Sequence, residues 1–144
     1  MSRRGTAHRP GIIGARSAGP CQPRLEPAQG HAGGRHAQLI GFKALDLFRS
    51  FGILSAGDPD SEKSTPEFLN DPDINGKVDY LFVGLGTHEN TPTNRSVVFH
   101  QILERHRVEH DYYIGGDGGH DWGTWRAHLH AMLPKLWRAG EAAR

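Results

Sequence analysis

The chain has a single cysteine, Cys21, so no internal disulfide framework is possible. No apolar run approaches the ~18 residues of a membrane span, and no membrane partner is expected. Charge of either sign is not in excess: 17 Lys and Arg stand against 16 Asp and Glu. That balance removes the electrostatic case for nucleic acid or an anionic lipid surface. Arg3 and Arg4 are followed by no apolar h-region, so no secretory signal is read and no compartment is assigned. Aromatic residues are missing from residues 1–34 altogether. That segment is rich in Arg, Gly, Pro and Ala, and its one clustered apolar pair is Ile12-Ile13. It cannot bury enough surface to offset the entropy of ordering, so it is expected to be disordered. Residues 35–144 are expected to hold the folded part, a length suited to one small domain.

From Arg35 onward the pattern is that of an α/β chain. "RHAQLIGFKALDLF" places Leu39, Ile40, Phe42, Leu45 and Phe48 at helical spacing, interrupted by Gly41. "SFGILSAG" is a short apolar run closed by Gly57-Asp58-Pro59, which suits a buried strand. A polar excursion follows, with one helical turn at "PEFLN". "VDYLFVGLG" is a second strand. "TPTNRSVVFHQILERHR" is an amphipathic helix with Val97, Val98, Ile102 and Leu103 on one face and Pro92 near its start. "VEHDYYIGG" is a third strand, and "WGTWRAHLHAMLPKLW" a last helix in which Pro134 predicts a kink or a new turn. The β-α-β order implies parallel pairing with a right-handed crossover. The expected fold is α/β: one sheet of about three parallel strands with flanking helices. Three strands are too small a sheet for an α/β domain, so the chain reads as the C-terminal half of a larger fold; an edge exposed where strands are missing favours association or aggregation, and no oligomeric state is assigned.

In parallel sheets, functional groups sit just beyond the C-terminal strand ends. The strand "YLFVGLG" runs out into "THEN", delivering His88 and Glu89. The strand "HDYYI" runs out into "GGDGGH", delivering His120. If these strands are neighbours, Glu89 and His120 converge. A carboxylate that accepts the Nδ1 proton of an imidazole orients the ring and stabilises the imidazolium. The order, an acid followed by a histidine near the C-terminus, is that of the α/β-hydrolases. The plainer readings are a solvated Glu89 at the start of the next helix and a His120 on an ordinary surface loop.

"LDLFRSFGILSAG", "FVGLGTHEN" and "GGHDWGTWRAHLHAMLP" resemble the C-terminal part of the esterase D-like esterase family, a group that includes feruloyl, acetyl-xylan and enterochelin-esterase-like enzymes. The resemblance covers about residues 30–138. It implies the C-terminal half of an α/β-hydrolase fold. It implies His120 as the triad base and Glu89 as the acid, where aspartate is commoner in the family. It also implies a small-molecule or carbohydrate-linked ester as substrate and no cofactor. The family's nucleophile elbow, G-x-S-M-G-G, falls on "QGHAGG". Gly33 and Gly34 match it, but the serine position is His31, and Gln29 stands where the first glycine belongs. Histidine cannot supply the alkoxide nucleophile in this geometry. The backbone N–H of Ala32 is the implied oxyanion donor. The chain is therefore expected to be an inactive fragment, its upstream segment that of a truncated or frame-shifted coding region. A non-catalytic module that binds carbohydrate or aryl esters in an aromatic-lined groove around Trp122 and Trp125 is the alternative.

Other candidates are weaker. Asp117 is a rival acid but shares a short loop with His120 and reads as a turn residue. Asp121 reads as a helix N-terminal charge. Ser17 in "ARSAG" imitates an elbow, but Ala15 replaces its first glycine and Pro20 and Pro23 follow where a helix is needed. Ser55 ends its strand and can point into the site without an elbow around it. Cys21 lies in the segment expected to be disordered. The ten histidines match no H-E-x-x-H or Cys-rich ligand pattern, so no metal is expected and the histidines read as solvated.

Overall fold

The structure is a computed structural model that describes residues 32–142. Residues 1–31, and with them most of the segment expected to be disordered, lie outside the described residues. Residues 32–34 belong to the first helix.

That helix, α1, is Ala32–Gly41. It is followed by strand β1 (Ser50–Leu54) and three single-turn helices, α2 (Ser61–Ser64), α3 (Pro66–Leu69) and α4 (Ile74–Lys77). Strand β2 is Tyr80–Leu85 and leads into a 3-10 turn, Thr87–Glu89. Helix α5 (Arg95–Arg105), strand β3 (Asp111–Ile114) and helix α6 (Trp122–Ala142) complete the order. The three strands form one parallel sheet in the order β1-β2-β3. Phe51 pairs with Leu81, Val83 with Tyr112, and Leu85 with Ile114. The α/β class and the flanking helices are as the sequence implies.

Alternation along each strand sorts its side chains onto two faces. Phe51, Ile53, Leu81 and Val83 join Phe99, Ile102 and Leu103 of α5, together with Phe42 and Phe68, in the main core. Phe42 stacks on Phe68 at 3.8 Å between ring centroids and meets Phe51 edge-on at 5.0 Å. The opposite face is covered by α6: Met132 packs on Gly52, and His128 on Gly84. Small residues on the strands let this helix lie close. Behind the strand ends, Asp58 is a buried carboxylate that accepts from Ser64 Oγ at 2.7 Å and pairs with Arg35 of α1 at 3.5 Å.

Several boundaries differ from the expectation. The helix expected over 35–48 starts at Ala32 and stops at Gly41, and the chain continues in turns closed by Ala44 N to Gly41 O (3.0 Å) and Phe48 N to Ala44 O (2.9 Å). Gly41 lies flat against the Phe51 ring, and the break swings Phe42 into the core while Phe48 is left exposed. Helix α5 begins at Arg95 rather than near Pro92, because Asn94 caps it by accepting from Ser96 N at 2.8 Å. Strand β3 is shorter than 108–116; Val108 is spent on closing α5 and filling the core. Helix α6 continues through Pro134. Pro134 is exposed, as is His130, whose carbonyl the proline ring leaves without its helical donor, so water can satisfy it.

Phe68 is fully buried on the Phe42 ring. Phe68→Ala is expected to lower unfolding free energy by about 3–5 kcal/mol in a urea titration, through lost transfer energy and the cavity left behind.

Candidate active site

Three strand ends meet at the C-terminal edge of the sheet, and each contributes one polar side chain. Strand β1 ends in Ser55, whose amide continues the ladder to Gly84 O at 2.7 Å. Ser55 has φ +53°, a left-handed conformation that a non-glycine residue adopts only where its surroundings over-determine it. Those surroundings come from α1. Buried Gln38 donates to Ala56 O at 3.0 Å and accepts from Asp58 N at 3.1 Å, clamping the chain just after Ser55. Gly34 abuts Ala56 so closely that a Cβ on it would collide with the alanine methyl.

Strand β2 ends at Gly86, and the 3-10 turn folds Glu89 back over it. The Gly86 amide donates to Glu89 Oε2 at 2.9 Å. The β3 loop is fastened to the same turn: His88 N donates to Gly118 O at 3.0 Å, and Thr87 Oγ1 to Gly116 O at 3.0 Å. Gly86 is required here, since a side chain on it would strike the Gly118 carbonyl. Gly116 takes φ +86° and so turns the loop as only glycine does readily.

Beyond that loop His120 presents Nδ1 to Glu89 Oε1 at 3.2 Å. Ser55 Oγ donates to Glu89 Oε2 at 2.5 Å. Glu89 therefore accepts from a hydroxyl, an amide and an imidazole. An ionised carboxylate has no proton to give, so Nδ1 is the protonated nitrogen in this pair. In the neutral ring the lone pair then sits on Nε2, the tautomer that a general base requires. Trp125 supports the imidazole edge-on, with centroids 4.9 Å apart. Trp122 in turn meets Trp125 at 5.3 Å and is 67% exposed. Asp121 caps α6: its Oδ1 accepts from Thr124 N at 3.0 Å and its Oδ2 from Gly119 N at 3.1 Å. The Thr124 amide chiefly holds the Asp121 carboxyl below the usual carboxylate range.

The structure thus brings together Glu89 and His120, with Ser55 on the second carboxylate oxygen. Through that bond Ser55 helps to orient the acid. Trp122 lies one ring removed from His120. Asp117 is exposed in its loop. Ala32 heads α1, while His31, Ser17 and Cys21 lie outside the described residues. Two groups of histidines are not solvated as expected. His128 is fully buried against Gly84, donates Nε2 to Gly115 O at 3.2 Å, and has its pKa pushed down by burial. His100 stacks on Tyr112 at 3.7 Å and shares a 2.8 Å hydrogen bond with His110; burial lowers its pKa too. Among the described residues no three His, Cys, Asp or Glu side chains assemble into a metal site. Trp125, read from the sequence as lining the aromatic groove with Trp122, stands edge-on to the His120 ring. Gln38 carries no sequence signal, because its role depends on a contact with the distant end of β1.

Two measurements test this geometry. Free imidazole favours the Nε2–H tautomer, so Glu89→Ala is expected to move His120 from mainly Nδ1–H toward Nε2–H, read from its ring 15N shifts. Ser55→Ala removes a hydrogen bond to a charged acceptor and is expected to cost about 1.5–3 kcal/mol of stability. Ser55→Gly loses the same bond but relieves the left-handed backbone, and should denature about 1 kcal/mol later than the alanine variant.

No protein-family model matches the chain, and no curated protein is significantly similar to it.

Proposed function

We propose that this chain carries the base and acid of a serine-esterase triad without its nucleophile. The observation that supports it is the Glu89–His120 pair at the C-terminal end of adjacent parallel strands, with the carboxylate on Nδ1. In acyl transfer to water, an imidazole so held takes the proton of an attacking hydroxyl on Nε2. Glu89 stabilises the imidazolium, which then protonates the leaving alcohol. A tetrahedral intermediate also needs donors for its oxyanion. On the resemblance to esterase D-like esterases, the Ala32 N–H is one of them, and the serine position is His31. The substrate class is an ester of a small molecule or a carbohydrate, and the reading requires no cofactor.

Loss of a triad serine costs on the order of 10⁶ in turnover, leaving binding and residual oxyanion stabilisation. The purified chain is therefore expected to hydrolyse p-nitrophenyl acetate or methyl ferulate no faster than its His120→Ala variant. A rate well above that control, abolished by a serine-directed phosphonate, would overturn the inactive reading, and Ser17 and Ser55 would be the first serines to mutate.

A second reading is favoured by one observation: Trp122 is an exposed aromatic face next to the site. A module that binds aryl esters or xylan fragments without turnover would use it as a stacking platform. In that case methyl ferulate quenches tryptophan fluorescence saturably, and Trp122→Ala weakens binding by about 1–2 kcal/mol, roughly 5- to 30-fold.

A further inference from the structure

The outer edge of β1 is built to be covered. Ser55 and Tyr80 donate to Gly84 O and Arg49 O across the β1–β2 pair, so residues 49, 51, 53 and 55 direct their backbone groups inward. Ser50, Gly52 and Leu54 direct theirs outward, and among the described residues no strand pairs with them. The strand, SFGIL, carries no charge and no proline, the usual devices by which an exposed edge is protected. The other edge of the sheet is guarded: β3 opens with Asp111, which pairs with Lys135 at 2.8 Å and Tyr80 Oη at 2.9 Å.

Both faces of the sheet extend an apolar rim past this edge. On the α1 side, Ile40 is 63% exposed and Phe48 49% exposed. With Ala37 and Phe51 they border an apolar groove of about 290 Å³. On the other side, Met132 of α6 sits over Gly52 of β1, while Lys135 reaches back to β3. At 100° per residue, Leu129 and Leu133 lie on the Met132 side of the helix and so point beyond β1. Both are exposed, Leu133 by 52%.

We infer that this edge is an interface with a second copy of the chain, joined by antiparallel β1–β1 pairing. The outward groups are symmetric about Gly52. A two-fold axis there pairs residue 52 with 52 and residue 50 with 54, forming about six inter-strand hydrogen bonds. The residue on the axis has no side chain to clash, and the strand has no charge to repel its image. A two-fold normal to the sheet keeps the layers in register. Ile40 and Phe48 then meet their counterparts on one face, and Leu129 and Leu133 theirs on the other, as an isologous contact requires. Nothing in this surface involves His120 or Glu89.

Sedimentation of the full chain across low- to high-micromolar concentrations tests it. The expected species has twice the 15.9 kDa chain mass. In the dimer, amides of Ser50, Gly52 and Leu54 exchange slowly, and they quicken on dilution. Ile40→Glu combined with Phe48→Glu alters exposed side chains only. It is expected to keep the native circular dichroism while weakening dimerisation about 100-fold or more. Ser50→Pro removes one outward donor at the first strand position, where proline is tolerated, and should weaken it in the same direction. A chain that stays monomeric throughout overturns the inference. So does an open-ended polymer, a dimer indifferent to both variants, or slow exchange of the three amides in a monomer, which would mean that the chain's own residues cover the edge.

Discussion

The rest of the structure depends on the parallel pairing of β2 with a strand on each side. β2 is the one described strand with two neighbours, and from Leu81 to Leu85 it is buried. Leu81 and Val83 reach the α5 layer, and Gly84 receives His128 of α6. Because the side-chain period is two, a slip of one residue would exchange those faces and expose the core. The same register sets where β1 and β3 end relative to Gly86. The positions of Ser55, Glu89 and His120 are therefore consequences of core packing.

The site shows how the ends of elements are held in place by hydrogen bonds. Glu89 is held by its own turn through the Gly86 amide and by its neighbours through Ser55 and His120. Each neighbour is itself braced from outside the site. Gln38 clamps the chain after Ser55, and buried His128 supports the Gly115 carbonyl at the root of the His120 loop. Glycine at Gly34 and Gly86 permits the close contacts that this bracing needs. The arrangement defines one imidazole tautomer, which is what general-base chemistry asks of a histidine.

The two edges of the sheet show opposite treatments of one physical problem. Backbone groups on an open edge invite another strand. At β3 the edge is charged and partnered by side chains from β2 and α6. At β1 it is uncharged and flanked by apolar side chains on both faces. The polar cluster at the strand ends and the open apolar edge of β1 are thus both products of how three strands were ordered.

Much of this was legible in the sequence. Apolar runs bounded by glycine marked the three strands, since a strand buried on both faces needs little else. The β-α-β order required parallel pairing, and parallel pairing put Glu89 and His120 at one edge. The family-like ending around His120 pointed to the same pair. Other features were decided only by tertiary contacts. α1 ends at Gly41, where the Phe51 ring occupies the space of a side chain, whereas helical spacing alone ran on to Phe48. His128 looks like any surface histidine until α6 docks it on Gly84. Ser55 adopts a left-handed backbone because Gln38 and Glu89 hold it from two sides, and no local pattern signals that. The sequence by itself determined which segments are strands and helices and in what order, because those choices follow from period and composition within a few residues. Which polar groups touch was decided by packing between residues 18 to 34 positions apart, as for Gln38 with Ala56 and Ser55 with Glu89, where a one-dimensional pattern carries no distance.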